Sequence, residues 1–166
     1  MKNYKRQKEL IIDALIRCDS YERFPTFLEM SDEMELKGEL YWFALRECYS
    51  CCDNQYQFRN EIKTAFRRTD PHRDILMSKK EIKYLKNLPE TFPIYRGMTI
   101  DEYESGNFGV SWSLKESVAK FFAEKYRRNF DTEDLPKTVH QLTIKKDDVI
   151  AYFGERKEYE IICLHK

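Results

Sequence analysis

The chain has 166 residues, and its 29 basic and 29 acidic side chains give a formal net charge of zero. That length fits one domain, or one domain with a helical appendage, and can bury a core without cross-links. The balanced charge argues against a general polyanion binder, which carries a basic excess. Charged residues make up 35% and aromatic residues 14%, so the surface is dense in ions while apolar area suffices for folding. No stretch approaches the roughly 18 to 20 apolar residues of a spanning helix. The apolar run after the charged start is broken by Asp13 and Arg17, so it does not read as a signal peptide. The five cysteines are Cys18, Cys48, Cys51, Cys52 and Cys163. An odd number without a secretion signal reads as reduced thiols, and the expected location is the cytoplasm.

Four helices are predicted first. Leu10, Ile11, Ala14, Leu15 and Cys18 form an apolar stripe at helical spacing, with Asp13 and Arg17 on the wet face. A second helix spans about Met34 to Cys51, with Leu36, Leu40, Phe43, Ala44 and Cys48 on one face. A third covers about Tyr56 to Arg67, with Phe58, Ile62, Ala65 and Phe66 inward. Ser78 with Glu81 is a capping box that opens a fourth, and Pro89 ends it.

The period then changes. Phe92 to Tyr95 and Phe108 to Trp112 read as strands, with Thr99 and Glu102 capping a short helix between them. Ser113 with Glu116 reads as another capping box, for a helix to about Tyr126 whose inward face is Val118, Phe121 and Phe122. Arg127 to Pro136 is polar and reads as a loop. Thr138 to Ile144, Val149 to Phe153 and Tyr159 to Leu164 are rich in β-branched and aromatic residues and read as strands. The expected class is α+β, with a helical lobe over 1–88 and a β-rich core over 89–166.

Several candidate sites are weak. Cys48, Cys51 and Cys52 contain Cys-x-x-Cys without a second pair, so helix packing explains them better than zinc. His72, His140 and His165 share no motif. The basic groups Lys2-Lys5-Arg6-Lys8, Arg67-Arg68 and Arg127-Arg128, and Lys79, Lys80, Lys83 and Lys86, read as solvated faces. No Gly-x-Gly-x-x-Gly or Walker-type loop occurs, which disfavours a Rossmann or P-loop nucleotide enzyme.

Three short segments of the second half carry more. Tyr95-Arg96-Gly97 sits at a strand end, Ser111-Trp112-Ser113 at a strand-to-helix turn, and Glu158-Tyr159-Glu160 at the start of the last strand. Arginine suits bidentate contact with phosphate, and a neighbouring glycine admits a ligand close to the backbone. A serine hydroxyl can orient a neighbouring group. A fixed carboxylate stabilises the positive charge that develops when an N-glycosidic bond breaks. By the period of two, Glu158 and Glu160 share a strand face.

In that order the three segments resemble the ADP-ribosyltransferase superfamily, in its arginine–serine–glutamate, cholera-toxin-like branch. Gly109 to Leu114 with Val118-Ala119 and Phe121-Phe122-Ala123 is similar to the family's strand-turn-helix segment, and Arg156 to Ile162 to its glutamate loop and strand. The resemblance covers about Phe92 to Cys163, and the chain is similar to small bacterial or phage members, some of which share a tryptophan at the position of Trp112. It implies a split β-sandwich that binds NAD in a cleft between two small sheets. It implies that Arg96 holds a phosphate of NAD, with Gly97 near the nicotinamide. Ser111 would position the glutamate, Ser113 would line the NAD site, and Phe122 would stack on nicotinamide. Glu160 would hold the nicotinamide ribose and stabilise the oxocarbenium ion, while Glu158 would orient or deprotonate the acceptor. NAD is then a substrate, and the further partner a macromolecule, a protein before a nucleic acid. Membrane partners are not expected. The implied activity is mono-ADP-ribosyl transfer, in a setting such as an effector or a toxin. The alternatives are NAD glycohydrolysis, an inactive binding module on the same fold, and an RNA-modifying member.

Overall fold

The computed structural model describes residues 2–53, 55–125 and 135–164. Most of the expected 127–136 loop, the Arg127-Arg128 pair and His165 lie outside them. The chain divides into two compact units, Met1–Leu76 and Met77–Lys166. The sequence placed this division at 88/89, so the helix opened by Ser78 belongs with the strands.

The first unit holds α1 (Lys2–Arg17), α2 (Arg23–Glu33), α3 (Gly38–Tyr49), α4 (Arg59–Arg67) and a 3-10 turn, Arg73–Leu76. Helix α2 is absent from the sequence expectation. Its Pro25 sits in the first turn, where a missing N–H leaves no helix bond unmade. The α1–α2 turn is built by Asp19, whose Oδ1 accepts the Tyr21 and Glu22 N–H groups at 2.8 and 3.0 Å. In α1, Ile11 and Leu15 are buried but Leu10 is 49% exposed, so the apolar face is narrower than predicted. Helix α3 begins at Gly38 rather than near Met34, and its buried arc is Tyr41, Trp42, Ala44, Leu45, Cys48 and Tyr49. Leu40 and Phe43, expected inside, are only half-buried. Aromatic rings dominate this core: Phe24 meets Phe27 and Phe58, Phe27 meets Tyr41, and Tyr49 meets Phe66 edge-on at 5.2 Å.

The second unit runs α5 (Lys79–Lys86), β1 (Thr91–Thr99), α6 (Ile100–Ser105), β2 (Ser111–Ser113), α7 (Glu116–Glu124), β3 (Lys137–Lys145), β4 (Val149–Phe153) and β5 (Glu160–Cys163). The strands form one antiparallel sheet of five, ordered β3-β1-β2-β5-β4. The Ser78–Glu81 capping box forms as predicted. The Ser113–Glu116 box does not: α7 starts at Glu116 behind Lys115, and no side chain caps it. Within α7 only Ala119 is fully buried, while Phe121 is 48% exposed, against the inward face expected from Val118, Phe121 and Phe122.

Strand alternation sorts the sheet into two faces. Phe92, Ile94 and Met98 of β1, Trp112 of β2, Ile161 and Cys163 of β5 and Tyr152 of β4 make the core. Pro93 lies on the opposite face, in a stretch of β1 paired to β3 but not to β2, so its missing N–H breaks no central ladder. β1 and β3 are paired at nine positions, whereas β1 and β2 meet at the single pair Tyr95↔Ser113. The sheet is thus a two-stranded part, β3-β1, and a three-stranded part, β2-β5-β4, joined at one position.

Candidate active site

The register decides which expected residues meet. Ser113 at the end of β2 lies opposite Tyr95 of β1 and Glu160 at the start of β5. Tyr95 in turn lies opposite Gln141, and Glu160 opposite Phe153. These five residues form one row across the sheet and share a face. Ser111 and Gly97 belong to the same face by the period of two. Four expected site residues, Gly97, Ser111, Ser113 and Glu160, are therefore brought to one side.

Arg96 lies on the other side, among Ile94, Met98 and Trp112. Its Nε and Nη2 donate to the two carboxylate oxygens of Glu102 at 2.9 and 3.4 Å, and its Nη1 donates to the Ser111 carbonyl at 2.7 Å. Glu102 is 4% exposed and accepts a further bond from the Gly109 N–H at 2.8 Å. A Cβ on Gly109 would stand 2.5 Å from Arg96 Nη2, so this glycine makes room for the guanidinium. The buried carboxylate is paired and hydrogen-bonded, as a charge in such a place must be. Arg96 thereby ties α6 to the backbone of β2, and three of its five N–H donors are used in doing so.

The glycine beside it also serves packing. A Cβ on Gly97 would stand 2.2 Å from the Ala119 carbonyl oxygen and 2.8 Å from the Ala123 nitrogen. What approaches the Gly97 backbone is α7, in the place where nicotinamide is expected. Phe122 is half-buried next to that contact line, with its ring edge-on to Phe121 at 5.6 Å.

The glutamate loop is held by polar contacts from both sides. The Ser113 hydroxyl donates to the Glu158 carbonyl at 2.6 Å and accepts the Lys115 N–H at 3.0 Å. The Leu114 N–H donates to the Tyr159 carbonyl at 3.0 Å. Lys115 Nζ stands 3.5 Å from the centre of the Tyr159 ring. On the other side the buried Glu81 accepts the Gly154 N–H at 2.8 Å through one oxygen and the Ser78 N–H at 2.8 Å through the other. The capping box of α5 thus doubles as an anchor for this loop.

Two non-glycine residues of the loop, Lys157 and Tyr159, have φ of 59° and 51°. Left-handed backbone is uncommon for bulky side chains, and it interrupts strand alternation. Strand β5 accordingly begins at Glu160, and the expected common face of Glu158 and Glu160 does not follow. Glu158 is half-buried, and desolvation raises its carboxyl above the ordinary range, against a smaller lowering from Arg156. Lys115, by hydrogen bond and then by charge, holds the Tyr159 phenol below its ordinary value.

Nothing in the sequence marks Glu102, Glu81 or Lys115 as site partners. Glu102 and Glu81 read as helix-cap residues, and both do lie in first turns. Their second partners, Arg96 and Gly154, come from other elements. Trp112, between the two serines, faces the core by alternation, while on the opposite face Ser113, Ile162 and Phe153 are themselves buried and α7 covers Gly97. No group of three His, Cys, Asp or Glu able to hold a metal occurs among the described residues. Cys48 and Cys52 are buried, and Cys51 is exposed. The hydrogen bond with Cys52, with burial adding to it, pushes the Cys48 thiol up. Lys79, Lys80, Lys83 and Lys86 are exposed on α5. Among the described residues no helix is long and apolar enough to cross a membrane. Comparisons with protein-family models, with curated proteins and with solved structures find no match.

Proposed function

We propose that the chain is a mono-ADP-ribosyltransferase of the arginine–serine–glutamate type, which cleaves NAD and passes ADP-ribose to a macromolecular acceptor, a protein in the first instance. The observation that carries this reading is the row in which Ser113 pairs with Glu160, with Ser111 on the same face and its carbonyl held by Arg96. In place of the expected two small sheets there is one sheet of five strands, whose β3-β1 and β2-β5-β4 parts meet at the single pair Tyr95↔Ser113, and this reading takes the NAD cleft to lie at that junction.

In this mechanism Glu160 holds the nicotinamide ribose and opposes the positive charge at C1′ as the glycosidic bond breaks. Nicotinamide leaves with the bonding electrons. The acceptor nucleophile bonds to C1′, and Glu158 takes its proton. A carboxyl raised by desolvation is a stronger base once ionised, which suits that step. The geometry favours Arg96 as a positioning residue for Ser111. Its place on the face opposite Glu160, with the guanidinium spent on Glu102 and the Ser111 carbonyl, does not favour the expected phosphate contact.

The test is incubation with labelled NAD and a cell lysate, beside Glu160→Gln. Label on a protein band, lost in the variant, supports transfer to protein. Label on nucleic acid reassigns the acceptor. Free ADP-ribose without a labelled band points to hydrolysis. Intact NAD with the unaltered protein overturns the enzymatic reading.

A further inference from the structure

We infer that Lys115 and Tyr159 form a positioning pair that sets the relative placement of Glu158 and Glu160; this rests on the transferase reading above. Three consecutive residues, the last of β2 and the two after it, grip two consecutive residues before β5. Ser113 holds the Glu158 carbonyl, Leu114 holds the Tyr159 carbonyl, and Lys115 lies on the Tyr159 ring. The first two contacts bind backbone and tolerate any side chain at 159. The third binds the side chain itself.

Tyr159 needs such a hold. Its φ of 51° is one that aromatic residues rarely adopt, and Lys157 at 59° leaves Glu158 between two left-handed residues. That turn is what separates the carboxylates. Glu160 enters the row beside Ser113, while Glu158 stays in the loop before the strand begins. An extended Tyr159 would return both glutamates to one face by the period of two. Lys115 stands at the N-cap position of α7 with its backbone N–H held by Ser113, which fixes the base from which its side chain reaches Tyr159. The ammonium bears on the face of the ring, and its charge holds the Tyr159 phenol below its ordinary value.

The experiment measures kcat and KM for NAD with the full chain, together with thermal unfolding, for Lys115→Met, Lys115→Arg, Tyr159→Gly and the Lys115→Met/Tyr159→Gly double variant. Lys115→Met should lose about tenfold in kcat with KM within about twofold, since misplacement of a reacting group falls on the chemical step. Lys115→Arg should restore most of kcat, because a guanidinium also stacks on an aromatic face. Tyr159→Gly relieves the left-handed backbone yet removes the ring, so kcat should fall with no loss of thermal stability. A purely structural role would not produce that split. The double variant should be no worse than either single one. Lys115→Met with unchanged kcat, or a Tyr159→Gly loss that only tracks unfolding, overturns the pair while leaving the transferase reading intact. An unaltered protein that leaves NAD intact overturns both.

Discussion

The helical unit and the sheet unit contain the same device, an arginine locked to a carboxylate and to distant backbone. In the first, Arg68 pairs with both oxygens of Asp70 at 2.8 and 3.1 Å and reaches the Leu36 carbonyl, while Asp70 accepts the Gly38 N–H at 3.0 Å. In the second, Arg96 pairs with Glu102 and reaches Ser111, while Glu102 accepts the Gly109 N–H. Both carboxylates thus also accept a glycine N–H. The Arg96 lock is the deeper, with side chains 21% and 4% exposed against 36% and 14%. Arg68 also lies 3.8 Å over the Tyr41 ring. The difference lies in what each lock holds. Arg68 fixes the start of α3 within a helical core. Arg96 fixes the strand whose hydroxyls stand beside Glu160. An arginine in such a lock is therefore no marker of a site by itself. The proposed function rests instead on the row beside it.

That contrast can be broken by substitution. The largest effect is expected at Gly97→Ala, where the new Cβ collides with the α7 backbone. Overpacking against a rigid backbone should cost about 3 kcal/mol, read by urea unfolding, and should fall on the sheet unit. Next, Glu102→Ala strands a mostly buried guanidinium and should cost about 2 kcal/mol, less than a fully buried pair because Arg96 keeps some water. Asp70→Ala, with the more exposed arginine, should cost about 1 kcal/mol. If the locks differ as argued, Glu102→Ala also lowers NAD consumption at a temperature where it stays folded, and Asp70→Ala does not. Equal consumption by the two would erase the functional difference between the units.

Smaller effects sharpen it. Ser113→Ala removes the 2.6 Å bond to the Glu158 carbonyl and should cost about 1 kcal/mol, with turnover falling more than stability. The smallest is a pH effect. The Glu158 carboxyl is raised in the folded state, so that state binds more protons as the unfolded chain ionises. Stability should then fall as pH rises from the ordinary carboxylate value through the raised one. Glu158→Gln should abolish that slope in melting curves. Asp70 has the opposite sign. Burial pushes it up, but bonds from Arg68 and the Gly38 N–H outweigh this and hold it down. Its contribution is present above the ordinary carboxylate value and is lost as pH falls through the depressed one.

Much of the local structure was legible along the chain. The Ser78–Glu81 box, the Ile62, Ala65 and Phe66 face of α4 and the β-branched runs of β3 to β5 all formed. Each rests on neighbours within about one or two turns of chain, or on alternation. The errors lie where a second partner intervened. Ser113 was expected to cap α7, but its hydroxyl is spent on Glu158, 45 residues away. Helix α2 carries Pro25, which a helix tolerates only in its first turn, where it stands.

The sequence alone determined the α+β class, the order of helices before strands, and the identity of the residues worth testing. It did so because caps, periodicity and short motifs are local. Only the tertiary structure decided that Ser113 stands beside Glu160, that Arg96 turns to the opposite face toward Glu102, and that Gly97 receives a helix. Those outcomes depend on strand register and on close approach between distant segments. A shift of one residue would reverse every face, and no local signal carries that information.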